Sequence, residues 1–184
     1  MKLLHLDSSI MGEASASRGI SVAIVERIQE THPGIEVSYR DLAAEALPHI
    51  TLDAFMKLDV GADVQQFLEA DIVVIGSGFY NFSIPSQLKA WIDRIAVRGK
   101  TFAYGENGPV GLATGKRVIV ALARGNVYGE GSPYAAYEHA ETLLRTMFGF
   151  IGADVEFVVA EGLGRGDEAR RVAIDGALDR VRAM

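Results

Sequence analysis

The chain has 184 residues, a length that fits one domain of ordinary size and is short for two. Apolar residues make up 49%, enough for a sizeable core and too many for a disordered chain. With 24 acidic residues against 18 basic (net charge −6), the balance argues against a protein that works by neutralising phosphodiester backbones, so no nucleic-acid partner is expected. The absence of cysteine excludes a disulfide scaffold, thiolate metal sites, cysteine-ligated iron–sulfur clusters and thiol catalysis, and it suits a reducing compartment. No apolar run approaches the ~18–20 residues that span a bilayer, and the apolar stretch after Met1 breaks at Asp7, too early for a secretory signal. These features predict a cytoplasmic protein without a membrane partner, folded as a single domain over residues 1–184.

In chain order, Leu3–Leu6 is the first strand candidate. After a serine-rich loop, Ile20, Ala23, Ile24, Arg27 and Ile28 keep the 3.6-residue period of a helix. Ile35–Tyr39 alternates apolar with polar, as an edge strand does. Asp53–Ala70 is weakly helical, with Gly61 as an interruption. Ile72–Ile75 and Val118–Leu122 hold unbroken β-branched runs, the pattern of strands covered by helices on both faces. Between them, Leu88, Trp91, Ile92 and Ile95 mark a helix, and Thr101–Gly115, with glycines at 105, 108 and 111, suggests a short hairpin or lid. Leu143, Leu144, Met147, Phe148 and Ile151 predict the next helix, Val155–Val159 the last strand and Asp167–Arg182 the last helix. The order βαβαβαβαβα with right-handed crossovers predicts an α/β fold, a doubly wound five-stranded parallel sheet with helices on both faces. By analogy with flavodoxin-like sheets, the strand order is 2-1-3-4-5.

In such sheets ligands bind beyond the carboxyl ends of the strands, which selects three loops. Asp7–Ser17 leads from a buried strand into a helix. There the Ser9, Ser15 and Ser17 hydroxyls and the unpaired amides at the helix start could cradle a phosphate, although Ser15 or Ser17 could equally be a plain helix cap. The loop carries neither a Walker Gly-Lys-Ser/Thr nor a GxGxxG turn. Ser77–Pro85 holds Phe79, Tyr80 and Phe82 around Asn81, suited to the wall of a flat ligand site; alternatively Phe79 and Phe82 cap the core and Tyr80 makes an intersubunit contact. Ala123–Gly131 is glycine-rich, which permits close backbone approach; its Arg124 could serve an anion, but a surface role is the commoner fate of one arginine. His5 reads as a packed core residue, and His32, His49 and His139 lack metal-ligand spacing, so no metal is expected. With no nucleophile–base motif and no acidic pair, the residues predict a flat phosphorylated ligand and no catalytic side chain, a pattern that assigns the chemistry to a cofactor.

Several segments together resemble the FMN-dependent NADH azoreductases, flavodoxin-like quinone and azo-dye reductases. They are Ser9 with Ser15-Ala16-Ser17, Phe79–Pro85, Lys100–Leu112, Ala123-Arg124-Gly125 and Phe148–Gly152. The resemblance runs over nearly the whole chain, and the Tyr-Asn-Phe loop and the long hairpin motif are its specific parts. It implies a homodimer with one FMN in each of two interface sites. It further implies that NADH or NADPH reduces the flavin and that a quinone or azo compound then takes the same place, by ping-pong kinetics. Ser9, Ser15, Ala16 and Ser17 would hold the phosphate, and Phe79, Tyr80, Asn81 and Phe82 would line the ribityl chain and ring. Ala123, Arg124, Gly125 and Asn126 would cover the other edge, while Phe82, Tyr104 and Phe150 would stack on the substrates, some of them across the dimer. An interface would also suit Tyr134, Tyr137 and Phe150, expected to be exposed. The chain departs from the family pattern in Ala123 (usually serine), Asn126 (usually a second glycine), Ala16 (commonly glutamine) and a short Leu47–Ala70 stretch. An electron carrier of flavodoxin type, and a reductase of free flavin or metal ions on the same fold, are the alternatives. A signalling receiver domain is discounted because the third strand ends in Ile75-Gly76-Ser77 rather than aspartate.

Overall fold

The computed structural model describes residues 1–57 and 61–184. Its main sheet has five parallel strands: β1 (Lys2–Asp7), β2 (Glu36–Asp41), β3 (Ile72–Gly78), β6 (Arg117–Ala123) and β7 (Asp154–Ala160). Their spatial order is β2-β1-β3-β6-β7, which is 2-1-3-4-5 counted within the sheet. Among the described residues β2 pairs with β1 alone and is an edge strand, as its alternation predicted.

The consecutive apolar residues of the central strands divide by parity between two cores. Leu3, Ile72, Val74, Ile119 and Ala121 face α1 (Ala16–Thr31) and α6 (Asp167–Arg182), where Ile20, Ile24, Ile28, Ala177 and Val181 meet them. Leu4, Leu6, Val73, Ile75, Val118, Val120 and Leu122 face the other way. They pack on Phe67 of α3 (Ala62–Glu69), on Leu88, Trp91, Ile92 and Ile95 of α4 (Ser86–Ile95), and on Leu144, Phe148 and Ile151 of α5 (Ala140–Ile151). An unbroken β-branched run is thus the signature of a strand with no solvent face.

The weak helical stretch Asp53–Ala70 comprises α2 (Leu52–Phe55) and α3, with Gly61 capping α3; its residues 58–60 lie outside the described residues. The expected hairpin is β4 (Phe102–Gly105) paired antiparallel with β5 (Gly108–Gly111). It docks at the far end of α5, where Gly111 approaches Gly152 so closely that an added Cβ would run into the Gly152 nitrogen. The Ala113 amide donates to the Ile151 carbonyl at 2.8 Å, fixing the same junction. Among the described residues no helix is long and apolar enough to cross a membrane.

Candidate functional site

The loop after β1 turns through a single 3-10 turn, Gly12–Ala14, and enters α1 at Ser15. Ser15 is the N-cap: its Oγ accepts the Arg18 amide at 3.4 Å and lies 3.0 Å from the Ser17 Oγ. Both hydroxyls are buried. The amides of Ala16 and Ser17 belong to the first helical turn, where no upstream carbonyl of the helix can pair with them, so they carry the positive end of the α1 dipole. Buried hydroxyls beside free helix-start amides make an anion cradle. Ser15 is thus the helix cap of the alternative sequence reading, with its hydroxyl beside the first-turn amides.

The second loop closes as a two-residue turn. The Tyr80 amide donates to the Ser83 carbonyl at 2.9 Å and the Ser83 amide to the Tyr80 carbonyl at 3.1 Å. Asn81 (φ 48°) and Phe82 (φ 71°) are both left-handed, as such a turn requires. Asparagine tolerates this conformation; for phenylalanine it is strained. The turn leaves Phe82 47% exposed. Tyr80 folds back over Gly78, where a Cβ would come within 2.8 Å of its ring, and its hydroxyl reaches the Ser9 Oγ at 2.9 Å. This contact joins the first loop to the second. Phe79 packs partly against the core, as the alternative reading had it, whereas Phe82 does not cap the core.

The third loop is tied down by an arginine for which the sequence suggested a surface role. Arg124 is 2% exposed. Its Nη2 meets Glu138 Oε1 at 3.0 Å and Glu141 Oε2 at 2.8 Å, and its Nη1 lies 3.5 Å from Glu161 Oε2. Glu161 also accepts the Tyr128 amide at 2.8 Å, and Glu138 accepts the Ala140 and Glu141 amides at the start of α5. Burial pushes the Glu141 carboxyl up, but hydrogen bonds from Arg145 and Arg124 outweigh it and leave the group below the ordinary carboxylate range. The Arg124 Nη1 and Nη2 are therefore engaged by carboxylates, while its buried Nε has no protein partner. The main chain of this segment is braced by the segment after β7: the Gly164 amide donates to the Gly125 carbonyl at 2.7 Å and the Gly162 amide to the Asn126 carbonyl at 3.2 Å.

Above Arg124 stands an aromatic wall. Phe79 lies 4.6 Å from Tyr128, and Phe82 lies 5.3 Å from Tyr137 and 6.5 Å from Tyr128, centroid to centroid. Tyr128 was not singled out as a site residue; its place three residues beyond the Arg-Gly pair of a ligand-facing loop was the available signal. The other two expected stacking residues lie elsewhere. Tyr104 packs edge-on against Phe102 under the Arg98 guanidinium, and Phe102 in turn packs on Phe150 at 4.7 Å. The Phe82 carbonyl accepts the His139 amide at the start of α5, whereas Phe150 is near that helix's end. At ~1.5 Å per residue the two ends are about 16 Å apart along the helix axis. Phe150 is also half-buried rather than exposed, because the hairpin packs on it; Tyr134 and Tyr137 are exposed as expected.

His5 is buried as expected, but it belongs to a polar chain rather than an apolar core. Its Nε2 lies 3.0 Å from the Ser21 Oγ, which donates to Asp7 Oδ1 at 2.8 Å, and its ring packs 4.9 Å from Tyr39. The described residues hold no cluster of acidic or histidine side chains that could ligate a metal ion.

Residues 1–184 match the family model described as a flavodoxin-like fold. An FMN-dependent NADH:quinone oxidoreductase of Methylorubrum extorquens is 52% identical over 200 aligned residues, covering 100% of this chain and 98% of the relative. A protein of the same name from Stenotrophomonas maltophilia is 52% identical over 185 residues, covering 97% and 93%. Among solved structures, an azoreductase from Bacillus anthracis superposes with a TM-score of 0.88 at 32% identity, covering 98% of this chain and 96% of that one. An FMN-dependent NADH-azoreductase from the same species, in complex with FMN, gives 0.84 at 27% identity, covering 99% and 98%. The chain is a member of the flavodoxin-like-fold family.

Proposed function

We propose that this protein is an FMN-dependent oxidoreductase that takes electrons from NADH or NADPH and reduces quinones and azo compounds. The observation that carries the reading is the buried Ser15–Ser17 pair with the free first-turn amides of α1, set beside an exposed aromatic turn. This set fits FMN: a phosphate needs donors at a helix start, and a flat ring needs an apolar face open to a second flat molecule. The names of the relatives that match the chain end to end point to the same cofactor and substrates.

Ser9, Ser15 and Ser17, with the amides of Ala16 and Ser17, would hold the phosphate. Phe79, Tyr80, Asn81 and Phe82 on one side, and the main chain of Ala123, Arg124, Gly125 and Asn126 on the other, would line the ribityl chain and ring. FMN, when bound, supplies two-electron redox chemistry that no side chain of this protein supplies. The protein's own work is to align a nicotinamide, and afterwards an acceptor, over one exposed face, and to exclude water there with Phe82, Tyr128 and Tyr137. One face serving both substrates in turn implies ping-pong kinetics.

A homodimer, with the active site between subunits of one flavin-binding domain each, accounts for the separation of the aromatics. Within one chain Tyr104 and Phe150 cannot meet Phe82 across the length of α5, so a second copy would have to supply them. The exposed Tyr134, Tyr137, Val110 and Leu112 suit burial in such an interface. The working compartment is the cytoplasm.

The test is spectroscopic and hydrodynamic. The protein reconstituted with FMN should be yellow and run as a dimer, lose its flavin absorbance on anaerobic addition of NADH or NADPH, and recover it on addition of a quinone. A flavin that stays oxidised in the presence of both nucleotides would instead mark an electron carrier.

A further inference from the structure

We propose that Arg18 is the positioning residue of the phosphate loop, holding the Ser9 carbonyl toward itself so that the following Ile10 N–H is turned the other way, toward the anion. The inference rests on the FMN reading above. Arg18 sits in the first turn of α1, and its side chain reaches back over the loop that precedes the helix. Its Nη2 and Nε both donate to the Ser9 carbonyl, at 2.8 and 3.3 Å. In a trans peptide the carbonyl and the following N–H point in opposite directions. Fixing the Ser9 oxygen toward Arg18 therefore fixes the Ile10 N–H away from it.

The brace has its own anchor on the edge strand. Asp41, the last residue of β2 and the register partner of Asp7, grips the guanidinium with both oxygens: Nη2 to Oδ1 at 2.7 Å and Nη1 to Oδ2 at 2.7 Å. The Asp41 carboxylate is itself oriented by the Ala43 and Ala44 amides. Nη1 also donates to the Tyr39 hydroxyl at 3.2 Å, and that hydroxyl donates to Asp7 Oδ2 at 3.3 Å. The guanidinium's N–H groups are thus engaged by protein acceptors.

Two carboxylates, Asp7 and Asp41, face this one cation, and Asp7 Oδ2 lies 3.9 Å from Nη1. The cluster carries no surplus positive charge to attract a phosphate. What Arg18 contributes is shape: a planar fork spanning a carbonyl on one side and a carboxylate on the other. Lysine would keep the charge and lose the fork.

FMN and riboflavin differ only in the phosphate, so the ratio of their dissociation constants isolates this role. Both constants are read from flavin fluorescence quenching on the wild type, Arg18→Lys and Asp41→Asn, with unfolding curves for each protein. In Arg18→Lys the affinity for FMN should fall by about tenfold, while that for riboflavin stays within about twofold. Asp41→Asn should shift the ratio in the same direction by a smaller factor, and it decides the matter if Arg18→Lys does not fold. An unchanged FMN affinity, or a parallel loss of both ligands, overturns the role of Arg18. A wild type that binds the two flavins equally overturns the phosphate-loop reading itself, and the role of Arg18 with it.

Discussion

Two arginines brace the carboxyl rim of the sheet, and they are held differently. Arg124 faces three carboxylates from the start of α5 and the end of β7, and its side chain is 2% exposed. Arg18 faces Asp41 and Asp7 with its side chain 15% exposed and gives two of its bonds to a loop carbonyl. The first is a keystone between secondary-structure elements. The second ties the loop after β1 to the edge strand through the Ser9 carbonyl and Asp41. The difference teaches that a buried ion pair near a binding site serves folding or binding according to what its hydrogen bonds fix, not according to its charge.

The largest effect that would break this comparison is on stability. Arg124→Met leaves three carboxylates around an apolar side chain and should cost about 3–5 kcal/mol, measured by urea denaturation. A loss as small as that of an exposed surface pair would remove the keystone role. On the other side of the comparison, Ser17→Ala should weaken FMN binding by about 1.5–3 kcal/mol with little change in melting temperature. Ser15→Ala should weaken binding and, as the lost cap, also cost about 1 kcal/mol of stability. Equal destabilisation by the two serine variants would contradict the separation of cap from cradle.

Between the two braces, Phe82→Gly should gain about 1 kcal/mol by relieving a left-handed phenylalanine, while quinone turnover falls with the lost ring. Parallel melting and steady-state assays check both signs. The smallest effect is the acid limb of stability. Arg18, hydrogen-bonded to it, holds the Asp41 carboxyl below its ordinary range. A depressed carboxyl contributes stability above its unfolded value near pH ~4 and loses it as pH falls through the lower native value. Asp41→Asn should therefore flatten the profile below about pH 4 and leave its shape near neutrality unchanged.

Legibility followed the range of the interactions. Strand and helix positions were readable because burial on two faces writes β-branched runs, and burial on one face writes a 3.6-residue period, within a dozen residues. The serine pair at the start of α1 was readable because Ser15 and Ser17 lie two apart at a helix start. Arg124 pointed to the surface because a lone arginine in a glycine-rich loop has no local partner. Its carboxylates stand 14, 17 and 37 residues away. Phe150 was expected to be exposed because the hairpin that half-buries it is brought there by the Gly111–Gly152 contact, which no periodicity signals.

By itself, then, the sequence determined the order of the elements, the two-faced sheet, the serine pair at the start of α1 and the aromatic turn, since each is set by neighbours along the chain. Only the tertiary structure decided which charges meet at the rim and that Tyr104 and Phe150 stand a helix length away from Phe82. Those outcomes depend on where distant strand ends and helix starts are brought together, and a parallel sheet places its sequence-distant ends side by side.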